Sequence, residues 1–515
     1  MGKSFFSVTI TCGRGRIFGA YGSSEVSMVR SNGYLASIGS KLQQLRGSDW
    51  VCKCDEFLRT PQYIIAISAL TAVSNLLSLD LFLYTIYILI GLFVCLLGRD
   101  LLGIMPMVVL GYISPSPSNN PGSASNTGSI FYPENGGIYI MVIASILVIA
   151  LVYRLITDPQ IGGRAFLKAE RKLTNGMLIL GAAYLLSGFG IQQYDQIWQR
   201  NLLFSFLQVV AIFGMYFLFA GSIRWEEVSK DHLAWIGMCA GLVVVPQLAE
   251  NYLSGRIFME GTGTIDRELI YAGWGMHNNM GAVMAMMLPF SFYLARHHKS
   301  GWVFNILATV LMVGVVLSCS RTSIMVGAAM YVLCAVLLLR RKDQRKQNIR
   351  IYLLAVLGAV ALSIVFFNKL KDIFDLFFEE LFVVSQRDNL FYYGMKQFMG
   401  APVFGGSFFP QGEYVPWDWS TSAAFSSFFP PRWHNTLVQL GASCGIVGLI
   451  GYSIHRLETI GLFLKDQSVG KWYIAFSILV LLTCSLLDCH FFNIGPVLFY
   501  SMALAFAEKI HRTHI

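Results

Sequence analysis

The feature that most constrains this chain is the recurrence of apolar stretches able to cross a bilayer, which takes about 20 residues of helix. They fall at 62–79, 81–98, 101–114, 137–156, 174–190, 202–220, 232–249, 272–296, 301–319, 322–339, 350–367, 433–454, 471–488 and 490–506, the third being the shortest. In hydrocarbon, backbone groups must be paired within their own segment, so stretches of this kind are helices. With 55% hydrophobic and 13% charged residues, the 515-residue chain has too little polar surface to be a soluble domain. The sequence therefore predicts an all-α, polytopic integral membrane protein of about 12–14 transmembrane helices with one long extracytoplasmic loop.

The net charge of +9 follows loop placement. With the N-terminus inside, Arg164, Lys168, Arg171, Lys172, the segment Arg296 to Lys299 and the cluster Arg340, Arg341, Lys342, Arg345, Lys346 and Arg350 all fall on the cytoplasmic side, as do Lys509 and Arg512. The outward loops are 115–136, 191–201, 250–271 and 368–432, the last holding five basic against seven acidic residues. The charge is thus a signature of topology, and no nucleic-acid partner is expected. Cys52-Lys-Cys54 lacks a second pair to complete a zinc site. Three regions emerge: a Gly/Ser-rich, basic and loosely ordered cytoplasmic tail over 1–60, helices over 61–200, and a domain over 201–510 that contains the long loop 368–432. Tyr34 to Leu45 offers a surface for the anionic inner leaflet.

Candidate functional residues sit at the outer ends of the spans. The long excursion carries Arg387, Tyr392, Tyr393, Trp417 and Trp419 and re-enters the membrane through Arg432-Trp433-His434-Asn435. Arg321, in Ser318-Cys-Ser320-Arg321-Thr322-Ser323, occupies a tight outward turn where a cation is costly unless it faces a polar cavity or an anion. Its Ser and Thr neighbours are suited to cap the following helix, whose N-terminal amides favour anions. The eighth span opens with Gly273-Trp274-Gly275-Met-His277-Asn278-Asn279, polar groups that need partners in hydrocarbon. After His434, the residues Asn435, Gln439 and Ser443 recur at helical spacing on one face, while Gly441, Gly445 and Gly448 leave a flat surface for a neighbouring helix.

Ser320-Arg321, Arg387 with Pro402 and Gly405-Gly406, and His434-Asn435 with Gln439, Gly445 and Gly448 together resemble the O-antigen ligase and polysaccharide polymerase superfamily, over roughly residues 200 to 510. Ser443 stands where that superfamily often has an acidic residue, and Val438 where a leucine is usual. The resemblance implies a glycosyltransferase of the bacterial cytoplasmic membrane, and the placement of the basic loops puts both termini in the cytoplasm. Such an enzyme moves a glycan from an undecaprenyl-diphosphate donor to an acceptor hydroxyl on a glycan, lipid or protein, without a cofactor or an obligatory metal.

In that chemistry His434 is the candidate general base, and Arg321 and Arg387 together hold the diphosphate through bidentate forks. Asn435, Gln439, Asn278, Asn279, His277, Trp417 and Trp419 are candidate substrate contacts. Aromatic residues including Trp433 offer faces for sugar rings. Two rival classes remain open on sequence alone. A flippase or exporter of lipid-linked sugars needs polar groups along a central path, and a metal-dependent oligosaccharyltransferase-type enzyme needs carboxylates spaced as ligands.

Overall fold

The computed structural model describes residues 41–113, 137–158, 161–191, 194–259, 265–365, 387–410, 432–465 and 467–510. The first helices are α1 Asp49–Leu58, α2 Pro61–Leu76, α3 Asp80–Leu96, α4 Met105–Leu110, α5 Gly137–Thr157, α6 Gly163–Lys168 and α7 Thr174–Leu185. A π-helical turn, Val210–Gly214, joins α8 Tyr194–Val209 to α9 Met215–Ser222. There follow α10 His232–Leu253, α11 His277–His297, α12 Gly301–Leu317, α13 Arg321–Leu339, α14 Arg345–Val365, α15 Arg387–Gly400, α16 Thr436–Leu464, α17 Val469–Ser485 and α18 Ile494–Lys509. Five described helices are long and apolar enough to cross a membrane, among them α10, α13 and α16, and four shorter ones are also apolar. The protein is a polytopic, all-α membrane protein.

The core is centred on α11. Every residue from Met280 to Ala295 is buried, and the helix packs against α10, α12, α13 and α17. A helix apolar all round is suited to such a central position. Its methionines, Met284, Met286 and Met287, adapt to the irregular spaces between four neighbours.

Contacts along α18 define two ends of the bundle. At its start, Gly495 lies against Trp274 and Tyr112; near its finish, Phe506 packs edge-on against Trp225, with ring centroids 5.6 Å apart. The short third apolar stretch runs between the same two ends. Leu101 N donates to Ser222 O at 3.2 Å, beside Trp225, whereas Tyr112 reaches the Gly495 end. Its middle is a 3-10 turn followed by the short α4, with Pro106 in the helix's first turn.

The Trp225 end carries a charge network. Arg59 pairs with Asp100 at 2.8 Å and Asp55 at 3.0 Å, and Arg154 pairs with Asp158 at 2.8 Å. This network corrects the expectation of a loose tail through residue 60. Helix α1 docks through Val51, Cys52 and Leu58, and its Asp55 carboxylate receives both Arg59 and Arg99. Of the stretch 34–45, residues 34–40 lie outside the described residues.

Candidate active site

The site is built where α16 begins. Asn435 is its N-cap, with Oδ1 accepting from Leu437 N at 2.8 Å and Val438 N at 3.1 Å, so two donors left open by the first turn are satisfied. Asn435 Nδ2 donates to Leu486 O at 2.7 Å, which ties the start of α16 to the chain just beyond α17. One turn later, Gln439 Oε1 accepts from Trp433 N at 3.0 Å, and its Nε2 donates to Ser443 Oγ at 3.0 Å. Asn435 and Gln439 therefore fix the residue between Trp433 and Asn435. That residue, His434, has φ +51°, a left-handed conformation that costs a non-glycine residue about 1–2 kcal/mol. Strain of this kind persists only when the surroundings impose it.

What the turn presents is an imidazole against a buried carboxylate. His434 Nδ1 lies 3.3 Å from Asp488 Oδ1, the Asp488 side chain being 10% exposed and the His434 side chain 35%. Asp488 sits in the connection between α17 and α18, where Oδ1 also accepts from Cys489 N at 2.6 Å. Burial pushes the Asp488 carboxyl upward, but the charges of His490, His434 and Arg432 outweigh it and hold the group well below the usual carboxylate range. His490 is displaced downward by burial, and Arg432 and His434 act in the same direction against the opposing pull of Asp488. Its Nδ1 lies 2.9 Å from Asn279 Oδ1, which also accepts from Asn493 Nδ2. Asn279 thus joins the start of α11 to the turn that carries Asp488.

The serine turn expected around Arg321 reaches the same end of α11. Ser323 Oγ donates to Asn278 O at 3.5 Å, and the closeness of Gly281 to Ser318 and Ser323 leaves no room there for a side chain. Arg321 is the first residue of α13, and Cys319, with φ +54°, makes the sharp turn before it. Ser320 occupies the cap position, yet its hydroxyl pairs with Ser323 Oγ at 2.8 Å and caps no backbone amide. His277 is the first residue of α11 and is buried. Arg387 begins α15, with its side chain outside the described residues, as are Trp417 and Trp419 entirely.

Three features differ from the sequence reading. Trp433 is 1% exposed, packed with Leu390 and Ala442 beneath α15, so it is not a platform for a sugar. The excursion contains a helix: Leu390, Gly394 and Gln397 of α15 follow helical spacing and face inward, with Gly394 against Trp433 and Val438. The small-residue surface of α16 receives a helix at Gly441, which lies against Phe398 of α15, but a loop at Gly445. Gly445 has φ +63° and breaks α16, the chain at Val403 and Gly405 enters the gap, and Pro402 O accepts from Ile446 N at 2.8 Å. Gly405, at φ +72°, is pressed so close to Ser443 and Cys444 that only glycine fits.

Asp488 and His490 were absent from the sequence-derived set of functional residues, and Arg432 had no role assigned to it there. The available signal was an acid and a histidine two residues apart between two apolar helices, where ionisable groups are expensive and commonly functional. Among the described residues, no group of three or more His, Cys, Asp or Glu side chains is arranged to hold a metal ion. A cavity of about 380 Å³ lined by Lys230, Tyr293, His297, Lys471 and Phe506 lies toward the other end of α18, away from His434.

The fold and this end of it define a polytopic membrane protein with a histidine–carboxylate pair and an arginine gathered at one end of its bundle. Residues 306–453 match the family model described as O-Antigen ligase, a stretch that contains Arg321, Arg387, Arg432, His434 and Gln439 and stops before Asp488. Over that stretch the chain is similar to the polysaccharide-polymerase superfamily. No curated protein sequence matches the chain.

Proposed function

We propose that this protein is a glycosyltransferase acting on the outer face of the bacterial cytoplasmic membrane, moving a glycan from an undecaprenyl-diphosphate donor to an acceptor hydroxyl. The observation that carries the reading is the 3.3 Å approach of His434 Nδ1 to the buried Asp488 carboxylate. With Asp488 on the Nδ1 side, Nε2 is the nitrogen that takes the acceptor's proton. The carboxylate fixes the ring and stabilises the imidazolium that results. The acceptor oxygen attacks the anomeric carbon as the bond from that carbon to the diphosphate oxygen breaks. The electron pair leaves with the lipid diphosphate, and the anomeric configuration inverts.

The charge that gathers on the leaving diphosphate needs cations. Arg321, Arg387 and Arg432 supply them, the first two sharing one diphosphate, since a guanidinium grips phosphate oxygens bidentately. Asn278, Asn279 and His277 border the same region, Trp417 and Trp419 contact the glycan, and no metal ion takes part. The His434 end faces outward and the Arg59–Asp100 end lies in the cytoplasm, in keeping with the placement of basic loops.

The test is transfer by the purified protein from a lipid-linked donor. His434→Ala is expected to insert and fold normally and to lose transfer. Retention of most of the activity would overturn the assignment of the base. Full inhibition by a chelator, reversed by a divalent cation, would favour the oligosaccharyltransferase class instead.

A further inference from the structure

Arg456 is an ionisable group that the proposed chemistry does not use. It lies eleven residues beyond the break at Gly445, about 16 Å along the helix at 1.5 Å per residue, and therefore well inside the span. Among the described residues no carboxylate pairs with it. Its guanidinium carbon instead lies 4.3 Å from the ring centre of Tyr452, 4.7 Å from that of Phe491 and 5.3 Å from that of Tyr500. Nη1 donates to Tyr500 Oη at 2.7 Å, and the same hydroxyl lies 2.7 Å from His455 Nε2. Nε and Nη2 are buried without a hydrogen-bond partner. A cation held this way is stabilised by ring faces, and such contacts are strongest when desolvated.

One of those rings belongs to the turn that carries the proposed catalytic carboxylate. Phe491 is fully buried three residues after Asp488, in the short 3-10 turn His490–Phe492. That turn is tied from one side by His490 to Asn279, and Phe492 O accepts from Gln208 Nε2 at 2.9 Å. Arg456 is its clamp from the lower half of α16. The upper half carries His434, and the two halves are separated by the break at Gly445. The turn is thus held above the break through Asn435 and Leu486 and contacted below it by Arg456, so both seats bear on the geometry between His434 and Asp488.

We propose that Arg456 is a positioning residue: gripping Phe491 and Tyr500, it seats the 488–493 turn so that Asp488 meets His434. This rests on the functional reading above. The residue touches no reacting atom, so its loss acts on turnover through Asp488 and leaves donor binding in place.

The test is a double-mutant cycle on the full-length protein in the transfer assay. Arg456→Met is expected to lower kcat about tenfold with KM for the donor within about twofold, and to cost less than about twofold more once Asp488→Asn is present, because the two act on one element. Arg456→Lys, which keeps a cation over the rings, is expected to restore most of the loss. Phe491→Leu leaves the guanidinium and Tyr500 in place and is expected to lower kcat in the same Asp488-dependent way. It decides the matter if Arg456→Met fails to fold. An equal fold-loss in the wild-type and Asp488→Asn backgrounds, or unchanged kcat in both Arg456→Met and Phe491→Leu, overturns the proposal. If His434→Ala loses transfer while the cycle is multiplicative, only the role of Arg456 falls. If His434→Ala keeps transfer, the functional reading itself falls.

Discussion

The two ends of the bundle both concentrate arginines and carboxylates, and they balance them differently. At the Trp225 end, Arg59 contacts Asp55, Asp100 and Glu227, Arg99 contacts Asp55, Glu56 and Glu227, and Arg154 is paired with Asp158. Carboxylates there meet guanidiniums in numbers that leave little net charge. At the His434 end, Asp488, the buried carboxylate of the described residues there, faces one guanidinium, Arg432, and two imidazoles, His434 and His490, the second displaced downward by burial. A balanced network holds loops to a bundle. A carboxylate that faces imidazoles instead can orient a proton acceptor, which is the property a transfer site requires.

The strongest way to break this comparison after His434→Ala is to remove the single carboxylate. Asp488→Asn keeps the shape and removes the charge that orients the imidazole, so kcat at neutral pH is expected to fall about a hundredfold or more, by analogy with the aspartate of hydrolase triads. Measured transfer within threefold of wild type would show that Asp488 is only a helix-connection residue. Next come the arginines. Arg321→Lys and Arg387→Lys keep the charge and lose the fork, and each is expected to cost about tenfold, with the double replacement costing less than the product if both hold one diphosphate.

The pH dependence sharpens the contrast further. The Asp488 carboxyl is held below its ordinary value, so the stability it contributes is present above the unfolded value of about 3.9 and is lost only as pH falls through its lower folded value. The difference in thermal stability between wild type and Asp488→Asn should therefore not fade as pH falls from about 8 to 5, where the facing histidines gain charge, and should narrow only below about pH 4. A difference that fades between pH 7 and 5 would mean that Asp488 is not held in its charged form by its neighbours.

How much of this was legible in the sequence depends on the range of the interaction. Helix positions follow from hydropathy because each helix satisfies its own backbone: the stretch read as 322–339 is α13, Arg321–Leu339, and that read as 301–319 is α12, Gly301–Leu317. The turn before His434 was legible in part, since a capping asparagine and a glutamine one turn on are local signals. Asp488 was not, because its meaning comes from His434 and Arg432, more than fifty positions away in the chain. The break at Gly445 was hidden for the same reason. Glycines in an apolar run suit a helix crossing as well as a break, and only the chain segment at Val403 to Gly405 decides between them.

The smallest expected effect on turnover is at the other end, and it is the one that tests whether the partner of the buried carboxylate, guanidinium or imidazole, is what separates the two. Asp100 accepts from Leu102 N through Oδ1 and from Arg224 N through Oδ2, which also pairs with Arg59, and its side chain is 1% exposed. Asp100→Asn leaves the Arg59 guanidinium with Asp55 and Glu227, so the network loses one charge of several without orphaning the cation. Removing a partner from a buried pair typically costs about 3–5 kcal/mol, and the remaining carboxylates should bring the loss here to about 1–2 kcal/mol. The expected outcome is a lower unfolding temperature in detergent, with kcat and KM within about twofold of wild type, because among the described residues no contact of this network reaches the turn of Asp488. A fall in kcat comparable to that of Asp488→Asn, without loss of folded protein, would show that the two ends are coupled and that a carboxylate facing an imidazole does not by itself mark which of them is the site.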